Sequence, residues 1–262
     1  SKDKFLDEID FMGANLNLSA TGAFGSSLSK FFPKLLEMAS DGLFNPVFDN
    51  EEFIKSKERL IQGIKSDENS VPAAARRVGN ILAYGKNHPR SEYATEKSIN
   101  NIEFGDIEKF FRLNFKPNNS YMVVVGDFDV DTTIKQIEIL FKKWKRGKIS
   151  YSEFSSNPPT KTAIHFIDMP NAIQSEISFQ NLINLKKNNP DYFSLLITNK
   201  ILGGGAENRL EQQIRENKGY TYVARSTFGT SKYLDSRFRA FTSTREQVTD
   251  SAVIEILSEI KK

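Results

Sequence analysis

Leu210-Glu211-Gln212-Gln213-Ile214-Arg215-Glu216-Asn217-Lys218-Gly219-Tyr220-Thr221-Tyr222 reads as a helix that must stop and a strand that must start. Leu210 and Ile214 fall four apart, on one helical face. Gly219 closes the helix, because glycine accepts the left-handed backbone that a helix end often requires. Tyr220-Thr221-Tyr222 then favours a strand. Downstream, alternating runs near Tyr220–Thr227 and Ser236–Thr242 predict two strands, and Val253, Ile256, Leu257 and Ile260 mark a last helix. Upstream, Ala163–Ile167 and Gln174–Asn181 predict two more strands, and Pro190 opens a helix through Leu195, Leu196 and Ile201. Leu202-Gly203-Gly204-Gly205 ends that helix. It lacks the Gly-Lys-Ser/Thr of a phosphate loop and follows a helix where such a loop follows a strand.

The front portion is helix-rich. Helical spacing covers Phe5 to Ile9, Leu28 to Ala39, the stretch after Asp49 or Asn50, Ala73 to Tyr84, Asp106 to Asn114 and Ile134 to Trp144. Glu51 and Glu52 suit the first turn of the helix that follows Asp49. Asn15 to Ala20 reads as an extended segment, and Tyr121 to Val125 as a buried strand. Serines, prolines and glycine in 146–160 break all periodicity. The expected organisation is therefore a front half over 1–148, a linker at 149–160 and a second half over 161–262. Runs of helices with hairpin-like strand pairs and no βαβ alternation predict an α+β fold of antiparallel or mixed sheet packed with helices.

Composition removes several functions. The 262 residues carry 36 Lys and Arg against 33 Asp and Glu, a balance of +3 without a basic face, so nucleic acid is not an expected partner. The basic run Lys142 to Lys148 suits the end of a helix. No apolar stretch is long enough for a transmembrane segment. Zero cysteines exclude disulfides, a thiol nucleophile and thiolate metal sites. The two histidines, His88 in a loop and His165 in an apolar run, do not form a zinc-binding pair on one helix. No Gly-x-Ser-x-Gly elbow is present. Ser1-Lys2-Asp3-Lys4-Phe5 starts without methionine and enters a helical pattern directly, and Lys261-Lys262 ends a helix abruptly, so a cut at both ends of a longer chain is expected. Arg215 and Tyr222 admit two readings. Together they could donate hydrogen bonds to a carbonyl oxygen; from spacing alone, a surface ion pair and an ordinary strand tyrosine are the simpler account.

Read in order, several motifs combine. They are Gly13-Ala14-Asn15-Leu16-Asn17-Leu18-Ser19, Asn45-Pro46-Val47-Phe48-Asp49, His88-Pro89-Arg90, Lys116-Pro117-Asn118-Asn119, Val125-Gly126-Asp127-Phe128-Asp129, Gln174, Pro190-Asp191-Tyr192, Ile201-Leu202-Gly203-Gly204, and Ile214 through Tyr222. In this order the chain resembles the insulinase/pitrilysin-type (inverzincin) metallopeptidases, in their bacterial and mitochondrial-processing-peptidase-like branch. The resemblance implies two similar α+β halves, incomplete at both ends. It also implies a peptide-enclosing chamber and zinc held by an H-x-x-E-H helix plus a later glutamate. Asn17 and Leu18 match the edge strand that pairs with substrate backbone, and Arg215 and Tyr222 match the pair that grips the substrate carbonyl.

Two departures shape the expectation. The H-x-x-E-H segment is absent from these residues, and the later glutamate position, just before Ile64, is Gly63 with Gln62 beside it. Glycine has no ligand atom. The implied function is thus a zinc-free family member with no metal of its own. It would be inactive alone, line the chamber, contribute Arg215 and Tyr222, and act as a homodimer or beside a zinc-bearing homologous subunit. The alternatives are a catalytic zinc metallopeptidase whose metal helix lies outside these residues, and a purely structural or interaction module. The implied location is periplasmic or membrane-associated.

Overall fold

The structure, a computed structural model, describes residues 2–150, 152, 154–156 and 159–262, with backbone only for Lys2 and Asp3. It is α+β, with helices packed on two small antiparallel sheets. Two compact units emerge, one of residues 1–59 with 97–151 and the other of 60–96 with 152–262. The sequence suggested a single cut at 149–160, in which Tyr151, Glu153, Asn157 and Pro158 lie outside the described residues. Residues 60–96 group instead with the later segment. The physical reason is a set of direct bonds. Gln180 Nε2 donates to the Gly79 carbonyl at 2.8 Å, and Arg237 Nη1 donates to Asn80 Oδ1 at 2.7 Å.

In the first unit, helix α1 (Lys2–Phe11) leads through Gly13 into strand β1 (Asn15–Ser19), which pairs antiparallel with β2 (Gly22–Ser26). Helix α2 (Phe32–Phe44) covers them, and Ile9, Met12, Ala14, Leu35 and Met38 form the core. Helix α3 (Asn50–Glu68) starts on Asp49, whose side chain accepts the Glu52 N–H at 2.9 Å. Helix α4 (Val71–Tyr84) belongs to the second unit, and the short α5 (Glu96–Asn100) leads on to helices α6 (Phe104–Asn114) and α7 (Val130–Phe141) of the first. Phe44, Phe115, Phe141 and Trp144 form one aromatic cluster, with the Phe115 and Trp144 rings 4.7 Å apart.

The second unit is built on the sheet order β3-β5-β4, where β3 is Gln174–Ile183, β4 is Ala224–Phe228 and β5 is Ser236–Arg245. Helices α8 (Tyr192–Asn199) and α9 (Thr249–Lys261) flank it. Ile177, Leu202, Leu210, Ile214, Ala224, Ala240, Ala252 and Ile256 form its core. The Gly203-Gly204-Gly205 turn is more than a helix end. A Cβ on Gly203 would lie 2.2 Å from the Ser226 backbone nitrogen, so glycine is what lets this segment approach β4.

Two expected strands are corrected. Residues 121–125 and 163–167 join no ladder among the described residues, and Tyr121, Val125, Ile164 and Phe166 are exposed. A β-favouring run becomes a strand only where another backbone satisfies its N–H and C=O groups. His165 is consequently exposed as well.

Candidate functional site

The segment from Asn208 to Tyr222 presents its polar groups through local backbone geometry. Residues Glu211–Asn217 are wound as a π-helix, a widened turn common at functional sites. Gly219, at φ +63°, ends it, and its N–H donates to the Arg215 carbonyl at 2.9 Å. The Tyr220 N–H reaches back to the Ile214 carbonyl at 3.0 Å. Ile214 is fully buried and fixes the apolar face of this turn in the core. Arg215 and Tyr222 thus flank a helix–strand junction whose ends are both anchored.

Tyr222 is 86% exposed just ahead of β4. Its neighbours explain why the backbone is nonetheless held. Thr221 Oγ1 donates to the Ser243 carbonyl at 2.7 Å, and Thr242 Oγ1 donates to the Val223 carbonyl at 2.8 Å. Bonds on either side tie the strand entrance to β5 and leave the phenol in solvent.

Arg215 is half-exposed and is not free. Its Nη1 donates to Glu211 Oε1 at 2.7 Å, and its Nε lies 3.3 Å from Glu216 Oε1. Glu211 is buried, and its other oxygen accepts from Asn208 Nδ2 at 3.1 Å. The simpler sequence account, an ion pair with a neighbouring carboxylate, is what the structure shows at Arg215. Sequence reading passed over Glu211 and Asn208. The Glu211–Arg215 spacing of i, i+4 was the available signal. On the far side of the turn, Gln213 Nε2 bonds Glu255 at 2.9 Å. That bond holds the Glu255 carboxyl below its ordinary range, opposed by burial and assisted by Lys218.

Asn17 and Leu18 lie in the other unit, on β1. Asn17 is exposed, whereas the Leu18 side chain turns onto α2, where a Cβ on Gly42 would come within 2.3 Å of it. Leu18 nonetheless stays 36% exposed, so this packing does not remove its side chain from solvent. Strand β1 pairs with β2 along one edge, and no described strand occupies its other edge.

The donor set for zinc does not fit. Gly63 lies exposed in α3 with nothing within 4 Å of the place its Cβ would take, and no three His, Asp or Glu side chains converge among the described residues. His88 is buried, stacked 4.9 Å from Tyr84, with Nδ1 accepting the Arg90 N–H at 3.1 Å. That is a structural setting.

The model of the peptidase M16 inactive domain matches residues 101–262, more than half of the chain. The chain belongs to this family. An uncharacterized zinc protease of Rickettsia bellii is 26% identical over 268 residues, covering 98% of this chain and 62% of the relative. A non-peptidase homolog, YmxG of Helicobacter pylori, is 23% identical over 217 residues, 80% of this chain and 49% of that protein. This M16-family chain thus spans under two thirds of the relatives it matches. The crystal structure of a peptidase M16 inactive domain from Pseudomonas fluorescens shares the fold at a TM-score of 0.81 and 20% identity, covering 98% of this chain and 63% of that one. The periplasmic protease PqqL of Escherichia coli also gives 0.81, at 13% identity, with 99% and 29% covered. Among the described residues no helix is long and apolar enough to cross a membrane.

Proposed function

We propose that this M16-family chain is a zinc-free, peptide-binding component that lines a chamber and works with a zinc-bearing homologous subunit. The observation that carries the reading is the anchored helix–strand junction. It offers an arginine and a solvent-exposed phenol from a rigid base, and two such donors suit a peptide carbonyl oxygen. The unoccupied edge of β1 supports a second mode of contact. There an extended peptide would gain backbone hydrogen bonds beside Asn17 and Leu18. Gly63 supports assigning the metal to the partner, because glycine brings no ligand to that position. A periplasmic or membrane-associated site of action goes with this reading, as PqqL is a periplasmic protease.

The test is peptide binding by the wild type and by Arg215→Ala and Tyr222→Phe, followed by turnover after adding a zinc-bearing homologous subunit. Arg215→Ala should weaken binding of an end-blocked peptide by about tenfold, equivalent to one charge-assisted hydrogen bond. Hydrolysis should need the added subunit. Unchanged binding and turnover for Arg215→Ala would remove the arginine from the site. The Rickettsia relative's description favours a second reading, a catalytic zinc peptidase with its metal helix outside these residues. Stoichiometric zinc in the purified full-length protein, with hydrolysis in the absence of any partner, would establish it.

A further inference from the structure

Arg215 is set in an unusual balance of charge. Two carboxylates face its guanidinium, Glu211 at 2.7 Å and Glu216 at 3.3 Å, whereas the nearby Lys218 is engaged by Glu255 at 3.2 Å. Glu211 cannot swing aside. It is 9% exposed, its second oxygen accepts from Asn208 Nδ2, and its backbone N–H donates to Asn208 Oδ1 at 2.8 Å. Asn208 is 1% exposed and is itself fixed by a 2.8 Å bond from Nδ2 to the Gly205 carbonyl. Arg215 Nη2 has no hydrogen-bond partner among the described residues, so its N–H groups are the donors left for a ligand.

Resting on the peptide-binding reading above, we propose that Glu211 is a positioning and selectivity residue. It locks the arginine and offsets its charge, so that the free Nη2 selects the neutral carbonyl of an internal peptide bond over a carboxylate. An arriving carboxylate would share one guanidinium with two others already there, and like charges at such range oppose one another. A neutral carbonyl meets no such opposition and still receives a bond from a charged donor. Selection here comes from rejecting the wrong ligand as much as from holding the right one. Peptides would be gripped along their length and not by their C-terminal ends.

The experiment compares two short peptides of one sequence, one blocked at both ends and one with a free C-terminal carboxylate, by fluorescence anisotropy. The wild type should bind the blocked peptide at least as tightly, with less than about a twofold change between roughly 0.05 and 0.5 M salt. In Glu211→Gln the amide keeps the shape and one acceptor oxygen, while the charge and one of the two bonds accepted from Arg215 and Asn208 are gone. The free-acid peptide should then gain about threefold and acquire salt sensitivity, as expected for one half-exposed ion pair. The blocked peptide should lose about threefold as Arg215 loosens. Arg215→Ala separates the two claims. If it binds the blocked peptide like the wild type, the peptide-binding reading fails. If it loses binding while Glu211→Gln leaves the preference between the peptides unchanged, only the present inference fails. Should Glu211→Gln not fold, the wild type decides, since a preference for the free acid overturns the proposal.

Discussion

Replacing Glu176 by alanine should destabilise the second unit far more than loss of an ordinary surface carboxylate. Glu176 stands on β3 opposite Ser243 of β5, and its side chain is only 8% exposed. It accepts from Arg239 Nη2 at 3.1 Å and from the Ser243 hydroxyl. Arg239 is 21% exposed, bonds Ser178 Oγ at 2.9 Å and lies 4.2 Å from the Phe241 ring centroid. Burial, chiefly, pulls the Arg239 pKa below its ordinary value. Glu176 opposes that shift, and the like charges of Arg237 and Arg76 add to it. Without Glu176, Arg239 loses its carboxylate partner and still feels the like charges of Arg237 and Arg76. Breaking a buried ion pair costs about 3–5 kcal/mol. Arg239 keeps some access to water, which places the expected loss at about 2–3 kcal/mol. Glu176→Gln, which keeps one acceptor oxygen for Arg239 and requires the Ser243 hydroxyl to accept from the amide, should cost about 1–2 kcal/mol. Added salt should recover part of either loss by screening the arginines.

Trp144 is the only tryptophan and belongs to the other unit, so its fluorescence is a poor reporter. Hydrogen exchange of the β3 and β5 amides under increasing denaturant reads the relevant opening. A double-mutant cycle with Arg239→Met should give a coupling of about 1.5–2.5 kcal/mol. A coupling below about 0.5 kcal/mol would place the pair with exposed salt bridges and refute the reasoning.

Gly63→Ala should stabilise the protein by about 0.5–1 kcal/mol in denaturant titration, because α3 is helical there, the site is exposed and nothing obstructs a methyl group. A loss of stability would mean that this glycine is required by its surroundings. Acid should act through Glu259. Burial raises its pKa, but bonds from Lys262 and Arg209 more than offset that and hold it below the ordinary 4.5. Since the folded value is the lower one, its contribution is complete above about pH 4.5 and declines as pH falls through the folded value. Glu259→Gln should therefore flatten the stability profile below about pH 4.5; a profile as steep as the wild type's would count against it. Ile214→Ala, at a fully buried position, should cost about 2–5 kcal/mol by thermal or denaturant unfolding and broaden exchange at the helix–strand junction; a loss under about 1 kcal/mol would mean the turn is not seated on the core.

Local chemistry carried much of this protein into view. Asp49 capping α3, Gly219 ending the helix before Tyr220, and the alternation in Ser236–Thr242 each follow from steric and hydrogen-bonding rules that act within a few residues. That Gly63 carries no side-chain donor atom was equally plain, since this needs no fold to be recognised. The expected strands at 121–125 and 163–167 went otherwise because a ladder depends on a second backbone, which no local pattern contains. The grouping of 60–96 with 152–262 likewise rests on Gln180 and Arg237 meeting α4 across more than a hundred residues of chain. Around Arg215, sequence supplied the arginine, the tyrosine and even the four-residue step to Glu211. Only tertiary packing decided that Glu211 is buried and clamped by Asn208, and burial is what turns a common surface pairing into a fixed, charge-balanced donor.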